Sequence, residues 1–358
     1  MIQGSVSKGW LHKEAGFTFP REYYFDPVYR RKQDREIHAF LDRRFPDIPL
    51  YHMESNLVQA EFARSDQLMV GGLQPNLILG AMLGAELVFP EGADADIRGL
   101  PLERLKEAGE LPPAADLLSR PPVPEFLEQL ERCTKDFGSV PVIPPFFWDL
   151  SCRATIHGFI TTAFKFCGQA AFIMLFENPD LLTEVHRWID ASYAALIALF
   201  APFLPAPVSG IHIGECSGAL VSAEDFTSHI LPWASGMGRR YGRVRFHSCG
   251  DSDHLLESIA AIENLHALDT GSGTSAAKAR RILGPGITLE LAPPVELLVS
   301  SSAEKDIAAW LDLVLAENQG GPLRIGYHLE PGYNFDAVML IHKNLEKRGI
   351  VRRGRTIF

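Results

Sequence analysis

Apolar residues in this chain fall in short runs separated by longer amphipathic stretches, a pattern of buried strands joined by surface helices. The runs predict strands over 49–53, 68–71, 86–89, 140–143, 210–214, 244–249, 267–269, 287–291 and 323–328. Helical spacing fills 27–44, 223–241, 254–264, 276–283 and 303–318. Ser222 with Asp225 three residues on reads as a cap, and Gly284-Pro285-Gly286 stops one helix before the next strand. From Gly210 onward strand and helix alternate to the C-terminus, which calls for parallel strands with helical crossovers. No GxGxxG or GxxxxGK[ST] follows a strand, so neither dinucleotide nor P-loop phosphate binding has support. At 358 residues a closed eightfold α/β barrel, the TIM (β/α)8 fold, suits the strand count better than an open sheet. Residues 1–45 then form an irregular N-terminal extension ending in a helix, and 46–358 form the barrel as one domain.

Barrels of this class place their chemistry at the C-terminal ends of the strands. Those positions hold Met53-Glu54, Trp148, Glu215-Cys216, His247-Ser248-Cys249, Asp269, Glu290 and Tyr327-His328. The most informative is the run Val244-Arg245-Phe246-His247-Ser248-Cys249, an alternating strand that ends in an imidazole and a thiol two residues apart. Side chains two apart on a strand share a face, so both can reach one zinc ion. Convergence from neighbouring strand ends makes His328, Glu215 and Cys216 candidates to complete such a site. Glu215, Asp269 and Tyr327 are the candidate catalytic groups, and Trp148 and Cys216 the candidate pocket walls.

Composition narrows the partners. A formal net charge of -10, with clustered cations only in the tail Arg352-Arg353-Gly354-Arg355, argues against a nucleic-acid surface. Five scattered cysteines and an N-terminus without a basic-then-apolar leader predict a reduced, cytoplasmic protein. The uncharged stretch 193–214 is broken by Pro202, Pro205 and Pro207, so it reads as a buried helix, a loop and a strand, with no membrane span.

The sequence of Gly210 to Glu215, Ser222-Ala223-Glu224-Asp225-Phe226, Phe246-His247-Ser248-Cys249-Gly250, the Asp269 strand, Ile287 to Pro294 and Leu323 to His328 resembles the uroporphyrinogen decarboxylase superfamily. It is most similar to the branch of methylcobalamin-dependent and corrinoid-protein methyltransferases. The likeness extends to Asn76 through Glu86 and the helix after Glu177-Asn178-Pro179-Asp180, so it spans most of the chain after about residue 45. It implies a TIM barrel of the uroporphyrinogen decarboxylase type. The Arg-Gln-Ala-Gly-Arg stretch with which the decarboxylases hold porphyrinogen carboxylates is missing here.

In the methyltransferase branch, His-x-Cys on the fifth strand and a Cys on the last strand bind a zinc that activates the substrate. His247 and Cys249 match the first two, whereas the last strand reads Gly326-Tyr327-His328 and no Cys follows Cys249. The resemblance therefore implies a zinc site of His247 and Cys249 with His328, Glu215 or Cys216 completing it. A ligand set richer in nitrogen or oxygen would suit a hydroxyl, methoxyl or carboxylate substrate better than a thiol. It further implies methyl transfer between a small substrate and a corrinoid, methylcobalamin or a corrinoid protein partner, since no Asp-x-His-x-x-Gly corrinoid motif is present. Homodimers are the family's assembly. Two other readings stand beside this one: metal-free decarboxylase-like or acid-base chemistry on Asp269, Glu215 and Tyr327, and a barrel that binds a small acid or tetrapyrrole without turnover. A metal at His247 and Cys249 favours the first reading, and an arginine-lined pocket built on Arg153, Arg243 and Arg245 favours the others.

Overall fold

The computed structural model of the chain describes residues 1–48, 50–52, 66–299 and 304–350. Twelve strands are present among them: β1 (Ile2–Val6), β2 (Leu50–Tyr51), β3 (Leu68–Met69), β4 (Glu86–Val88), β5 (Asp96–Arg98), β6 (Val142–Ile143), β7 (Arg153–His157), β8 (Gly210–Gly214), β9 (Arg243–Ser248), β10 (Leu265–Thr270), β11 (Thr288–Leu291) and β12 (Leu323–Leu329). Eight of them form one parallel sheet in the order β2-β1-β12-β11-β10-β9-β8-β7. From β7 to β12 each strand pairs with the next in sequence, the progression that curls a TIM-like sheet.

The expected closure is not seen. No ladder joins β7 to β2 among the described residues, and β3 pairs only with β6 in a separate parallel ribbon. Both sheet edges explain this locally. β2 has two residues, and beside β7 the chain leaves β6 through Phe146 at φ 71°, so that Phe147 bridges Ala154 in the antiparallel sense. Residues 86–89 were expected to join the sheet; β4 instead forms an antiparallel pair with β5 on the surface.

Three strands fall outside the expected runs: the surface strand β5, and β1 and β7, which escape for one shared reason. β1 places Gln3 and Ser5, and β7 places Arg153 and Thr155, on buried inner positions, so polar residues interrupt the apolar run by which a core strand is recognised. The expected irregular lead-in thus contains a strand held between β12 and β2, and Met1 donates its ammonium proton to Leu323 O at 2.9 Å. The helix over 27–44 is present as Pro27–Arg44, capped by Asp26 on the N–H groups of Val28 and Tyr29. The expected 223–241 helix divides at Ile230 into Ala223–His229 and Leu231–Tyr241, because Pro232 cannot donate to a continuing helix. Ser222 does cap the first of these, accepting from Asp225 N at 3.0 Å.

The stretch 193–214 resolves into the end of helix Pro179–Phe200, a short turn and β8. Among the described residues no single helix is long and apolar enough to cross a membrane. Within the sheet, the outward side chains Val244, Phe246, Leu268, Leu289 and Ile325 lie buried under the helices. Each such burial stabilises by about 1.5–3 kcal/mol. The Phe246 ring meets Phe226 edge-on at 5.8 Å.

Candidate metal centre

Because side chains alternate along a strand, the inward set is Arg245 and His247 on β9, Asp269 on β10, Glu290 on β11, and Arg324 and His328 on β12. They line a cavity of about 250 Å³ that extends to Cys249, Gly250 and Ala292 at the C-terminal end of the sheet. The register sets these residues side by side: Asp269 is opposite both His247 and Glu290, and Glu290 is opposite Arg324.

His247 and Cys249 come together as their spacing requires, with Nε2 2.9 Å from Sγ. The third member is Cys216, carried in from the end of β8. The ligand atoms of Cys216, His247 and Cys249 all lie within 4.8 Å of one another. Zinc bonded tetrahedrally at about 2.1 Å to nitrogen and 2.3 Å to sulfur sets its ligands roughly 3.6 Å apart, so shifts of about an ångström suffice. The backbone fixes Cys216 here: Glu215 N donates to His247 O at 2.9 Å, and Ser217 N donates to Thr161 Oγ1 at 2.9 Å.

His247 is oriented from behind. Its Nδ1–H donates to Asp269 Oδ2 at 2.7 Å, which turns Nε2 toward the two sulfurs. This is the carboxylate–histidine arrangement found at metal sites. Asp269 is held in turn by Arg245 Nη2 at 2.8 Å, and the buried Arg245 also contacts Glu290 Oε2 through Nε at 3.1 Å and His212 Nδ1 at 2.9 Å. Glu290 Oε1 accepts from Arg324 at 2.7 Å.

The electrostatics follow from these contacts. Burial opposes ionisation of Asp269, but Arg245 and His247 outweigh it and hold the carboxyl well below the usual range. Burial likewise disfavours the imidazolium of His247, yet Asp269 and the Cys249 sulfur push its pKa up to about 10. A hydrogen bond from Cys216, assisted against burial by His247, draws the Cys249 thiol down toward the thiolate. A thiolate is the metal-binding form, and a metal displaces the proton from the imidazole.

The other expected site residues are placed differently. His328 shares the cavity wall but stands outside the three-residue cluster, with Nδ1 2.6 Å from Ser5 Oγ and Nε2 3.6 Å from Glu330 Oε1. Glu215 is fully buried and faces the start of helix Phe159–Cys167, where Oε1 accepts from Thr161 N at 2.9 Å and from Thr161 Oγ1. Burial raises its pKa to about 7 against those hydrogen bonds. Tyr327 points outward, its hydroxyl 2.7 Å from His342 Nε2 on helix Phe335–Lys347, and Gly4 on β1 has no side chain because the Tyr327 ring fills that space. Tyr327 and His328 both border the cavity, but adjacent residues of a strand face opposite ways, and the Tyr327 hydroxyl is turned away to His342. Trp148 lines a separate small chamber with Lys8, Tyr24 and Arg30. Glu54 and Met53 lie outside the described residues. The sequence reading gave no role to His212, whose polarity in mid-strand was the available signal.

No family model and no curated protein matches the chain. Among solved structures, a methyltransferase from Methanosarcina mazei is similar, with a TM-score of 0.62 over 97% of this chain and 92% of that one, at 17% sequence identity. The two share a fold.

Proposed function

We propose that this chain is a zinc-dependent methyltransferase that moves a methyl group between a small substrate and a corrinoid. The observation that carries this reading is the Cys216–His247–Cys249 cluster at the C-terminal end of a TIM-like sheet, with His247 ordered by Asp269. The shared fold with a methyltransferase agrees with it. Two thiolates and one imidazole are a ligand set that zinc favours in catalytic sites, where the fourth position is left to substrate. A zinc bound there lowers the pKa of a coordinated X–H group. With Cys216 in place of His328, the site is sulfur-rich, which shifts the preferred acceptor from a hydroxyl to a thiol.

The chain's own residues then have distinct tasks. Cys216, His247 and Cys249 hold the metal, Asp269 fixes the imidazole, and Arg245 keeps Asp269 ionised and in place. The cavity beside them, about 250 Å³ at the C-terminal end of the sheet, is where a small substrate would sit and which a corrinoid carrier would have to face. A zinc held by Cys216, His247 and Cys249 would supply a deprotonated X as nucleophile, its proton passing to solvent, for a methyl group whose bonding electron pair would stay with the carrier. The acid-base alternative gains little from Glu215, which lines neither the cavity nor the cluster, whereas a pocket lined by Arg153, Arg243 and Arg245 is the observation that favours binding of a small acid.

The test is loss of methylcobalamin absorbance on mixing zinc-loaded protein with small thiols, alcohols and methoxylated acids, with Cys216→Ser alongside. Turnover with a thiol, reduced about tenfold or more in the variant, is expected from loss of one metal ligand. Equal rates in wild type and Cys216→Ser would remove Cys216 from the site. No turnover with any acceptor would remove the methyl-transfer reading.

A further inference from the structure

The inner face of the sheet opens at both ends. At the N-terminal ends of the strands, away from the Cys-His-Cys cluster, lies a second cavity of about 390 Å³ lined by Arg153, Arg243, Arg324, His266, Ser151 and Ser209, with Arg245 and Glu290 also on its wall. Its charge runs against that of the chain, which is net negative. Among the described residues Glu290 is the only carboxylate on this wall, and it is shared between Arg245 and Arg324. Asp149 acts on Arg153 from nearby, and Asp269 pairs with Arg245 from the other end. The Met1 ammonium sits beside Arg324 at the same end. Four guanidiniums and one ammonium thus meet three carboxylates, and positive charge is left over.

That excess is felt locally. Burial, reinforced by Arg245, lowers Arg153 to about 10, and burial with Arg243 and Arg153 lowers His266 to about 4. The geometry also leaves donors for a ligand. Ser151 Oγ accepts from Arg153 N at 3.2 Å, so its own proton remains to donate. Arg324 Nε is buried without a hydrogen-bond partner. Guanidinium groups bind carboxylate and phosphate oxygens in paired contacts, and the cavity volume falls in the range of small-molecule sites, roughly 300–1,000 Å³.

From this geometry we infer that the N-terminal end of the sheet is a binding site for a small multivalent oxyanion, a phosphate or a polycarboxylate, separate from the metal centre. It does not depend on the methyl-transfer reading.

Titration calorimetry of the full chain with inorganic phosphate and with citrate, at constant ionic strength set by chloride, tests it. Saturable binding of at least one of the two is expected, and which one binds distinguishes phosphate from polycarboxylate. Arg243 is exposed at the start of its strand, so Arg243→Glu should leave the denaturation midpoint close to that of wild type. It should weaken binding about tenfold or more, as removal and reversal of a contacting charge does. Arg98→Glu makes the same charge change on a distant surface pair and should leave affinity within about twofold. Cys249→Ser should bind like wild type. Absence of binding by either anion overturns the inference, as does equal weakening in Arg98→Glu. Loss in Cys249→Ser with retention in Arg243→Glu would move the anion to the other cavity and overturn it as well.

Discussion

The two faces of β9 and β12 are made by the same strands and do opposite things. Outward, Val244, Phe246, Ile325 and Tyr327 are almost wholly buried under helices and contribute packing. Inward, Arg245, His247, Arg324 and His328 line cavities, and the first three join a chain of ion pairs through Asp269 and Glu290. A barrel interior is ordinarily filled by branched apolar residues. Here that space carries charge, so the fold rests on the outer face, and the inner face is free to carry chemistry. A substitution should therefore reveal its face by whether it moves stability, metal binding, or both.

Arg245 is where both should move most. Arg245→Met leaves Asp269 and Glu290 near each other without their shared cation, and loss of one partner from a buried ion pair costs about 3–5 kcal/mol. Urea denaturation should show that loss, and zinc affinity should fall with it because Asp269 no longer holds His247. On the outer face, Phe246→Ala should cost a similar or slightly smaller amount, about 3–4 kcal/mol, through the cavity it leaves. Zinc affinity of the folded variant should stay at the wild-type value. If it fell as far as in Arg245→Met, the division between faces would be wrong.

Asp269→Asn is a narrower probe of the inner face. It keeps the shape beside His247 but removes the charge, and should lower zinc affinity about 10- to 100-fold, measured by competition with a chelator. The smallest effect belongs to Tyr327→Phe, which deletes the hydroxyl bonded to His342 and should cost about 1 kcal/mol with methyl transfer unchanged. A large drop in activity would return Tyr327 to the catalytic set.

His342 adds a pH signature to the outer face. Burial lowers its pKa from 6.5 to about 4, so the folded state binds this proton less readily than the unfolded chain. Its contribution is complete above pH 6.5 and is lost as pH falls toward 4. His342→Gln retains an acceptor for Tyr327 without the titration, and its denaturation midpoint should fall less steeply over that window. An identical pH profile in the two proteins would place the acid sensitivity elsewhere.

The alternation that separates the faces was also what made the chain readable, and where it failed the reading failed. Strands from β8 to β12 announce themselves through apolar outer positions such as Ile211, Val244 and Leu289, and His247 with Cys249 follows from their spacing of two. β1 and β7 stayed hidden because Gln3, Ser5, Arg153 and Thr155 are inner residues of a polar interior, which composition rules treat as loop. Cys216 was visible as a strand-end residue, but its arrival beside Cys249 depends on the register of β8 against β9, which sequence does not state. Glu215 and Tyr327 were drawn to the site by position alone. Their neighbours, the start of a helix and His342, are set by packing between distant segments.

The most direct measurement is the metal content of purified protein by elemental analysis after loading with zinc and exhaustive dialysis, for wild type, Cys249→Ser and Tyr327→Phe. About one zinc per chain in wild type and Tyr327→Phe, with little in Cys249→Ser, is the result expected of a three-ligand site on the inner face. No zinc in wild type, or equal zinc in wild type and Cys249→Ser, would contradict the metal centre and the function built on it.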